Sequence, residues 1–289
     1  MSNSRNLLDT EERKVIINKG TEAPHTGKYN DFIEGGVYLC KQCDAPLYKS
    51  QHKFQSSCGW PSFDDEIEGA IKRELVADGH RKEILCANCS GHLGHIFEGE
   101  MLTDRDLRHC VNSISLKFVS SDELREKDPT IEVAYFAGGC FWGLEHLMDQ
   151  KLGVVGVKSG YMGGEVENPH YEQVCSQKTG HLEVVEVSYH PEQVSFEILT
   201  KLFFEIHDPT QSDGQGPDIG DQYLSAIFYQ SDDEKQVSEK LIKILEDKGL
   251  NVATKLLPVS TFWKAEDYHQ DYYQKNGQQP YCHRHVKRF

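Results

Sequence analysis

No stretch of the 289-residue chain reaches the run of roughly 18 apolar residues that a transmembrane helix needs, so no membrane partner is expected. Its start, "MSNSRNLLDT", has no apolar signal core and reads as the N-terminus of a cytoplasmic protein. Basic residues are scarce. The 31 Lys and Arg are outnumbered by 46 Asp and Glu, a net charge of −15, and both halves of the chain are acidic. A phosphate-backbone partner needs a basic face, so the balance argues against nucleic acid. The cysteines do not form an even set either, since there are nine. In an intracellular chain thiols stay reduced unless they serve redox chemistry or metal binding. Each therefore has to be read by its position.

The remaining composition is ordinary for a globular protein, with 38% hydrophobic and 27% charged residues. The length suits about two domains of roughly 100–200 residues. Composition shifts at "SSDELREKDPT", residues 120–130, which is polar and ends in Asp-Pro-Thr. The expected division is a domain over residues 1–120, a linker over 121–130 and a domain over 131–289. Short β-branched and aromatic runs between Gly, Pro, Asn and Asp make the first domain mainly β, with one short helix near "DTEERKVIIN". "SFDDEIEGAIKREL" fits an exposed hairpin at least as well as a helix. The second domain alternates strands and helices, which predicts an α+β two-layer sandwich. Ser195 is the expected N-cap of a helix whose apolar face is Leu199, Leu202, Phe203 and Ile206.

Cys40 and Cys43 in "CKQC", and Cys86 and Cys89 in "CANC", form two C-x2-C pairs. One such pair alone could be a thioredoxin-like redox motif. Two of them in a small β-rich domain favour the closed four-sulfur shell of a structural zinc ion, one per chain. No organic cofactor is expected.

Cys140 in "AGGCFWGLEH" follows two glycines and precedes a helical pattern. A thiol at a helix N-terminus lies in the positive end of the macrodipole, which favours the thiolate. The alternative is a buried cysteine at a tight packing point. Phe141 and Trp142 can wall an apolar pocket beside the sulfur.

The motifs "GGCFWGLE", "GYMGG", "NPHYEQVCSQKTGHLEVVEV", "HDPTQSDGQGPDIGDQYLSAIFY" and "FWKAEDYHQDYY" together resemble peptide methionine sulfoxide reductase A, through nearly all of residues 131–280. The first half resembles the unrelated reductase B through "CKQCDAPLYKSQHKFQSSCGWPSF", "CANCSGHLGHIF" and "RHCVNSISLKF". The resemblance describes a natural fusion, B module first, with a zinc-binding β domain followed by a ferredoxin-like sandwich.

It also implies the roles of residues. In the A module Cys140 attacks the sulfoxide sulfur, Phe141 and Trp142 hold the methyl group, and Glu183 protonates the oxygen. Tyr171 and Tyr223 donate hydrogen bonds to that oxygen, supported by Asp218. In the B module Cys110 is the nucleophile, His92 and His95 are acid and donor groups, and Trp60 is the apolar wall. Arg108 and Asn112 flank Cys110 and orient the sulfoxide or stabilise thiolate. Attack leaves a sulfenic acid, which a second thiol clears as a disulfide. Cys58 occupies that resolving position in the B module. Cys282, in a basic tail, is the candidate in the A module, and Cys175 is read as a spectator. Thioredoxin is the expected external dithiol. The family implies the S epimer for the A half and the R epimer for the B half. Three positions depart from the family pattern, His109, Met162 and Lys264, and none removes a proposed catalytic group.

Two other readings use the same residues. A zinc-containing binding module joined to a redox sensor would call for a basic face. A thiol peroxidase would share the activated cysteines but leaves two aromatic methyl pockets without a purpose.

Overall fold

The computed structural model describes residues 5–76 and 82–289, so the first four residues of the polar start lie outside it. The chain divides into two compact units, one ending at Leu124 and the other beginning at Arg125. A helix, Ser121–Lys127, occupies part of the segment that reads as linker. Its charges explain the difference. Asp122 and Glu123 lie in the first turn and Arg125 and Lys127 in the last, the arrangement that a helix macrodipole favours.

The first unit opens with the helix Thr10–Ile16. It is closed by a capping box in which Asp9 accepts from the Glu12 N–H and the Glu12 side chain accepts from the Asp9 N–H. Two antiparallel sheets follow. The smaller runs Pro46–Lys49, Gly36–Cys40, Leu116–Ser120. The larger runs Lys53–Phe54, Ser62–Phe63, Leu107–Val111, His92–Glu98, Lys82–Cys86, Ile71–Leu75. "SFDDEIEGAIKREL" thus ends in an exposed strand and contains no helix. The core gathers Tyr38, Leu47, Tyr48, Phe63, Ile84, Leu93 and Val111. His109 is fully buried with them, and its Nδ1 lies 3.1 Å from the Tyr48 hydroxyl. Strand periodicity then sends Arg108, Cys110 and Asn112 to the opposite face.

The second unit runs strand–helix–strand–strand–helix–strand from Glu132 to Tyr229. Its sheet order is Lys255–Pro258, Ala226–Tyr229, Glu132–Ala137, Leu182–Tyr189, Val154–Met162, Trp263–Lys264. Without the two edge strands this is the fourth–first–third–second order of a ferredoxin-like sandwich. Ala226–Tyr229 and Lys255–Pro258 are parallel, and the helix Asp232–Asp247 makes the crossover that parallel pairing requires. The helices Phe141–Asp149, Phe196–Ile206 and Asp232–Asp247 bring Leu144, Met148, Phe203, Leu241 and Leu245 against Phe136, Val185 and Val187. Ser195 caps the second of these by accepting from the Ile198 N–H. A smaller cluster of Ala137, Met162, Leu182, Val184 and Phe228 covers the other face. With both faces covered, Leu182–Tyr189 is buried at every position. Glu183 shares the alternate positions of Val185 and Val187, so it faces the helix layer.

Candidate active sites and metal centre

The two C-x2-C pairs sit on equivalent turns. Cys40 and Cys86 end their strands, and their N–H groups donate to Ala45 and Gly91 carbonyls at 2.8 and 2.9 Å. Each turn closes through a left-handed residue, Asp44 and Ser90. The turns bring the four sulfurs within 4.8 Å of one another. Cys40 lies 3.6 Å from Cys89, and Cys43 lies 3.6 Å from Cys86. A tetrahedral ion with zinc–sulfur bonds of about 2.3 Å needs sulfurs about 3.8 Å apart. The four cysteines fit zinc and leave no ligand position open.

In the same unit Cys110 pairs in register with His95 on one neighbouring strand and with Ser62 on the other. Two residues on, Asn112 donates through Nδ2 to the Leu93 carbonyl at 3.0 Å and accepts at Oδ1 from the Glu22 N–H at 2.9 Å. The Glu22 carbonyl accepts from the Trp60 indole N–H at 3.0 Å. One residue of the N-terminal segment therefore ties the apolar wall to the polar side of the site. Arg108 is engaged as well. It makes paired bonds of 2.7 and 2.8 Å to the Glu100 carboxylate and stacks on Phe97 at 4.3 Å. His92 Nδ1 lies 2.6 Å from Glu83, which also accepts from Lys19 at 2.7 Å. Against the effect of burial, the bonds from Lys19 and His92 hold the Glu83 carboxyl below its ordinary value. Glu83 therefore stays ionised and fixes the proton of neutral His92 on Nδ1. Burial itself lowers the His92 pKa.

Cys58 Sγ lies 3.7 Å from Cys110 Sγ. The hydrogen bond with Cys110 pushes the Cys58 thiol down to about 4 against its burial, and the Ser56 and Ser62 hydroxyls add to this. The same bond, with burial, pushes Cys110 up. The hydroxyl donors lie on the Cys58 side of the pair, and Arg108 lowers Cys110 from the other side.

In the second unit Cys140 is the N-cap of Phe141–Asp149. Gly139 before it has φ +93°, and a Cβ there would lie 2.3 Å from the Gln215 side chain, so the tight approach requires glycine. For Cys140 the helix N-terminus, which favours thiolate, is opposed by its neighbours. The hydrogen bond with Cys282 and burial raise its pKa. The dipole is used on another group: the Phe141 N–H donates to Glu183 Oε2 at 3.0 Å. Glu183 is 1% exposed. Burial lifts its carboxyl well above the usual range, and the Cys140 sulfur adds to the lift. That lift favours its protonated form.

Tyr171 and Tyr223 are both raised first by burial, and Glu183 adds to the rise of each. Burial raises the Cys175 thiol, against the lowering effect of Tyr171. The aromatic pair rests on a segment to which the sequence assigned no role. His269 Nδ1 accepts from the Trp142 indole N–H at 3.0 Å, and its ring meets Phe141 at 5.0 Å and Tyr171 at 4.6 Å. Tyr272 stacks on Trp142 at 3.6 Å. Glu266 accepts from the Tyr171 N–H and the Tyr161 hydroxyl. The segment's sequence signals were its place in the motif "FWKAEDYHQDYY" and the density of aromatics there.

The C-terminal tail folds over this site. Cys140 Sγ, Cys282 Sγ and an Asp218 carboxylate oxygen lie within 4.8 Å of one another. The Tyr281 hydroxyl donates to both Asp218 oxygens at 3.1 Å. Arg284, His285 and Lys287 are exposed, Arg288 is bonded to the Phe204 carbonyl, and His283 lies beside the thiol. His109, Met162 and Lys264, the departures from the family pattern, occupy two core positions and a short edge strand.

Residues 132–289 match the family described as peptide methionine sulfoxide reductase, and residues 8–120 match the SelR domain. The peptide methionine sulfoxide reductase MsrA of Sulfolobus acidocaldarius is 48% identical over 153 residues, covering 53% of this chain and 87% of its own length. That of Nautilia profundicola is 49% identical over 149 residues, covering 52% and 86%. Among solved structures, Mxr1 from Saccharomyces cerevisiae in reduced form is similar at 38% identity and a TM-score of 0.52, covering 56% of this chain and 95% of that one.

Proposed function

Because the chain belongs to the peptide methionine sulfoxide reductase family and carries a SelR domain ahead of that match, we propose that it reduces both epimers of free and protein-bound methionine sulfoxide, one in each unit. The observation that carries this reading is a pair of adjacent thiols in each unit, Cys58 with Cys110 and Cys140 with Cys282. Each pair lies beside an aromatic wall and oxygen donors.

In the second unit the S epimer sits with its methyl group against Phe141 and Trp142. A sulfoxide oxygen leaves only when protonated, and Glu183 holds the proton for it, with Tyr171 and Tyr223 as further donors. The Cys140 sulfur attacks the sulfoxide sulfur while its own proton passes to the site's bases. The protonated oxygen leaves as water as its bond to the substrate sulfur breaks, a water oxygen then bonds to the Cys140 sulfur as the new sulfur–sulfur bond breaks, and methionine departs with Cys140 left as a sulfenic acid. Sulfoxide plus thiol thus becomes thioether plus sulfenic acid, with no net proton. Cys282 then displaces hydroxide to form the disulfide. In the first unit Cys110 performs the attack on the R epimer, with Trp60 as wall, His92, His95 and Asn112 toward the oxygen, Arg108 beside the sulfur, and Cys58 as the resolving thiol. An external dithiol, thioredoxin, reduces each disulfide.

Cys40, Cys43, Cys86 and Cys89 hold one zinc ion. When bound it supplies cross-linking of the two turns and no chemistry of the reaction, because a four-thiolate shell is closed. Among the described residues no helix is long and apolar enough to cross a membrane. Nine free thiols suit a reducing compartment, and we place the protein in the cytoplasm as an enzyme of protein repair.

The test supplies each epimer of a peptidyl sulfoxide with a dithiol to Cys110→Ser and Cys140→Ser. The first loses R-epimer reduction and keeps S, and the second does the reverse. Loss of both activities from one substitution overturns the two-site reading, and turnover of peroxide without sulfoxide overturns the reductase.

A further inference from the structure

His283 is 6% exposed although only six residues follow it. Its Nδ1 is 3.1 Å from Cys282 Sγ and its Nε2 is 2.8 Å from the Gly138 carbonyl. A carbonyl can only accept, so Nε2 carries the ring proton. Nδ1 is then a bare lone pair aimed at the thiol, and Cys282 S–H is the donor.

Two further features hold the ring there. Gly143 lies in the first turns of Phe141–Asp149, an unfavourable place for glycine. A Cβ at that position would come within 2.1 Å of His283 Nδ1. The helix has given up a side chain where the imidazole docks. Beyond the ring the tail is fastened to Phe196–Ile206. The Val286 N–H donates to the Glu205 carbonyl at 2.7 Å, and Arg288 Nε donates to the Phe204 carbonyl at 2.7 Å. The Arg288 and Phe289 N–H groups donate to the Glu205 carboxylate at 3.0 and 3.2 Å.

We propose that His283 is the general base of the resolving step, taking the proton of Cys282 as that sulfur attacks oxidised Cys140. The inference rests on the reading of Cys282 as the thiol that resolves Cys140. The arrangement is that of an activated nucleophile in general: nucleophile, base, and a third group that fixes the base's orientation. The Cys282 S–H proton moves to Nδ1 and the sulfur–sulfur bond forms. The Cys140 sulfur–oxygen bond breaks, and the departing hydroxide takes the proton from His283 to become water. Cys140 sulfur is reduced, Cys282 sulfur is oxidised, and the ring ends as it began. Burial keeps the imidazole neutral down to about 4, with Asp218 facing it as the nearby acid. His207, Cys140 and Cys282 are the other titratable groups against it.

The experiment uses the full chain with Cys110→Ser to silence the first unit. The S epimer is added without reductant, and methionine, the Cys140–Cys282 disulfide and dimedone-trapped sulfenic acid are followed in one turnover. His283→Gln is expected to form methionine at the unaltered rate. Its disulfide should form on the order of a hundredfold more slowly or worse, with trapped Cys140 accumulating. Disulfide formation should be flat from about pH 6 to 8.5 with His283, since the base is already neutral. In His283→Gln it should rise with pH, because a solvent base must then take the proton that His283 took. Slowing by the same factor at every pH marks a structural role and overturns the proposal, as does no slowing. A disulfide that forms normally in Cys282→Ser sinks instead the reading of Cys282 on which the proposal stands. Nitrogen-15 NMR of the protein with His283 intact gives an answer independent of any variant's folding. The proton on Nε2 is required, and a proton on Nδ1 overturns the proposal.

Discussion

The Phe141 N–H donates to the carboxyl oxygen of Glu183 at 3.0 Å, across 42 residues of sequence. One helix N-terminus therefore serves two reacting groups. Its N-cap is Cys140, the proposed nucleophile, and its first N–H holds Glu183, the proposed acid. A single rigid element thus sets the spacing between nucleophile and acid, as preorganised catalysis requires.

Glu183→Gln keeps the hydrogen bond from Phe141 and removes the proton. S-epimer kcat/KM is expected to fall by about 10²–10⁴-fold, with R-epimer reduction unaltered. Because burial raises the folded pKa of Glu183, its protonated form is favoured, and S-epimer activity declines as rising pH removes that proton. Steady-state rates with resolved epimers across pH check both points. A variant that retains the activity and its alkaline decline would remove Glu183 from the acid role.

Cys43→Ser opens the four-sulfur shell. Zinc binding contributes about 10 kcal/mol or more to folding in small domains that depend on it, so the first unit is expected to lose both zinc and fold. Elemental analysis should give no zinc, and R-epimer activity should vanish. S-epimer activity should stay within about twofold, because the second unit has its own core. Full R-epimer activity without zinc would show that the metal is dispensable.

His269→Phe keeps a ring behind Phe141 and deprives the Trp142 indole of its acceptor. An unpaired buried N–H costs about 1–3 kcal/mol. The expected result is an S-epimer KM raised by about tenfold or more, with a smaller change in kcat. An unaltered KM would mean that Tyr272 stacking alone positions the indole.

His207 is buried, its Nδ1 bonded to the Phe203 carbonyl and its Nε2 to Ser225. Burial lowers its pKa to about 3. Below about pH 6.5 the unfolded chain takes up a proton that the folded unit refuses, so stability falls as pH drops from 6.5 toward 3. The slope is about 1.4 kcal/mol per pH unit for this one group. Urea unfolding of the second unit at two pH values in that window, compared with His207→Gln, isolates the term. Equal pH dependence in both proteins would contradict it.

Some of this protein is written in short segments. Ligand spacing in "CKQC" and "CANC" is a property of four-residue turns, so the zinc centre was legible before any fold was known. Ser195 caps its helix from three residues away, and the apolar repeat of that helix is equally local. The motif thiols and Trp142, Tyr171 and Tyr223 could be named because their neighbours in sequence travel with them. The charge pattern of residues 121–127 was local too, yet its polar composition made a helix resemble a linker.

The remaining features depend on contacts that sequence distance conceals. Leu182–Tyr189 is covered on both faces, so no alternation marks Glu183 as inward, and only the helix above it decides that it is an acid. Glu22 reaches Trp60 and Asn112, Glu83 sets His92, and His269 carries Trp142 across 127 residues. Which sulfur holds the proton in each pair likewise depends on who lies beside it. Residue types and spacings determined what chemistry the chain can perform. Burial and long-range hydrogen bonds decided the protonation and orientation of each group, because the field at a side chain is set by everything packed around it.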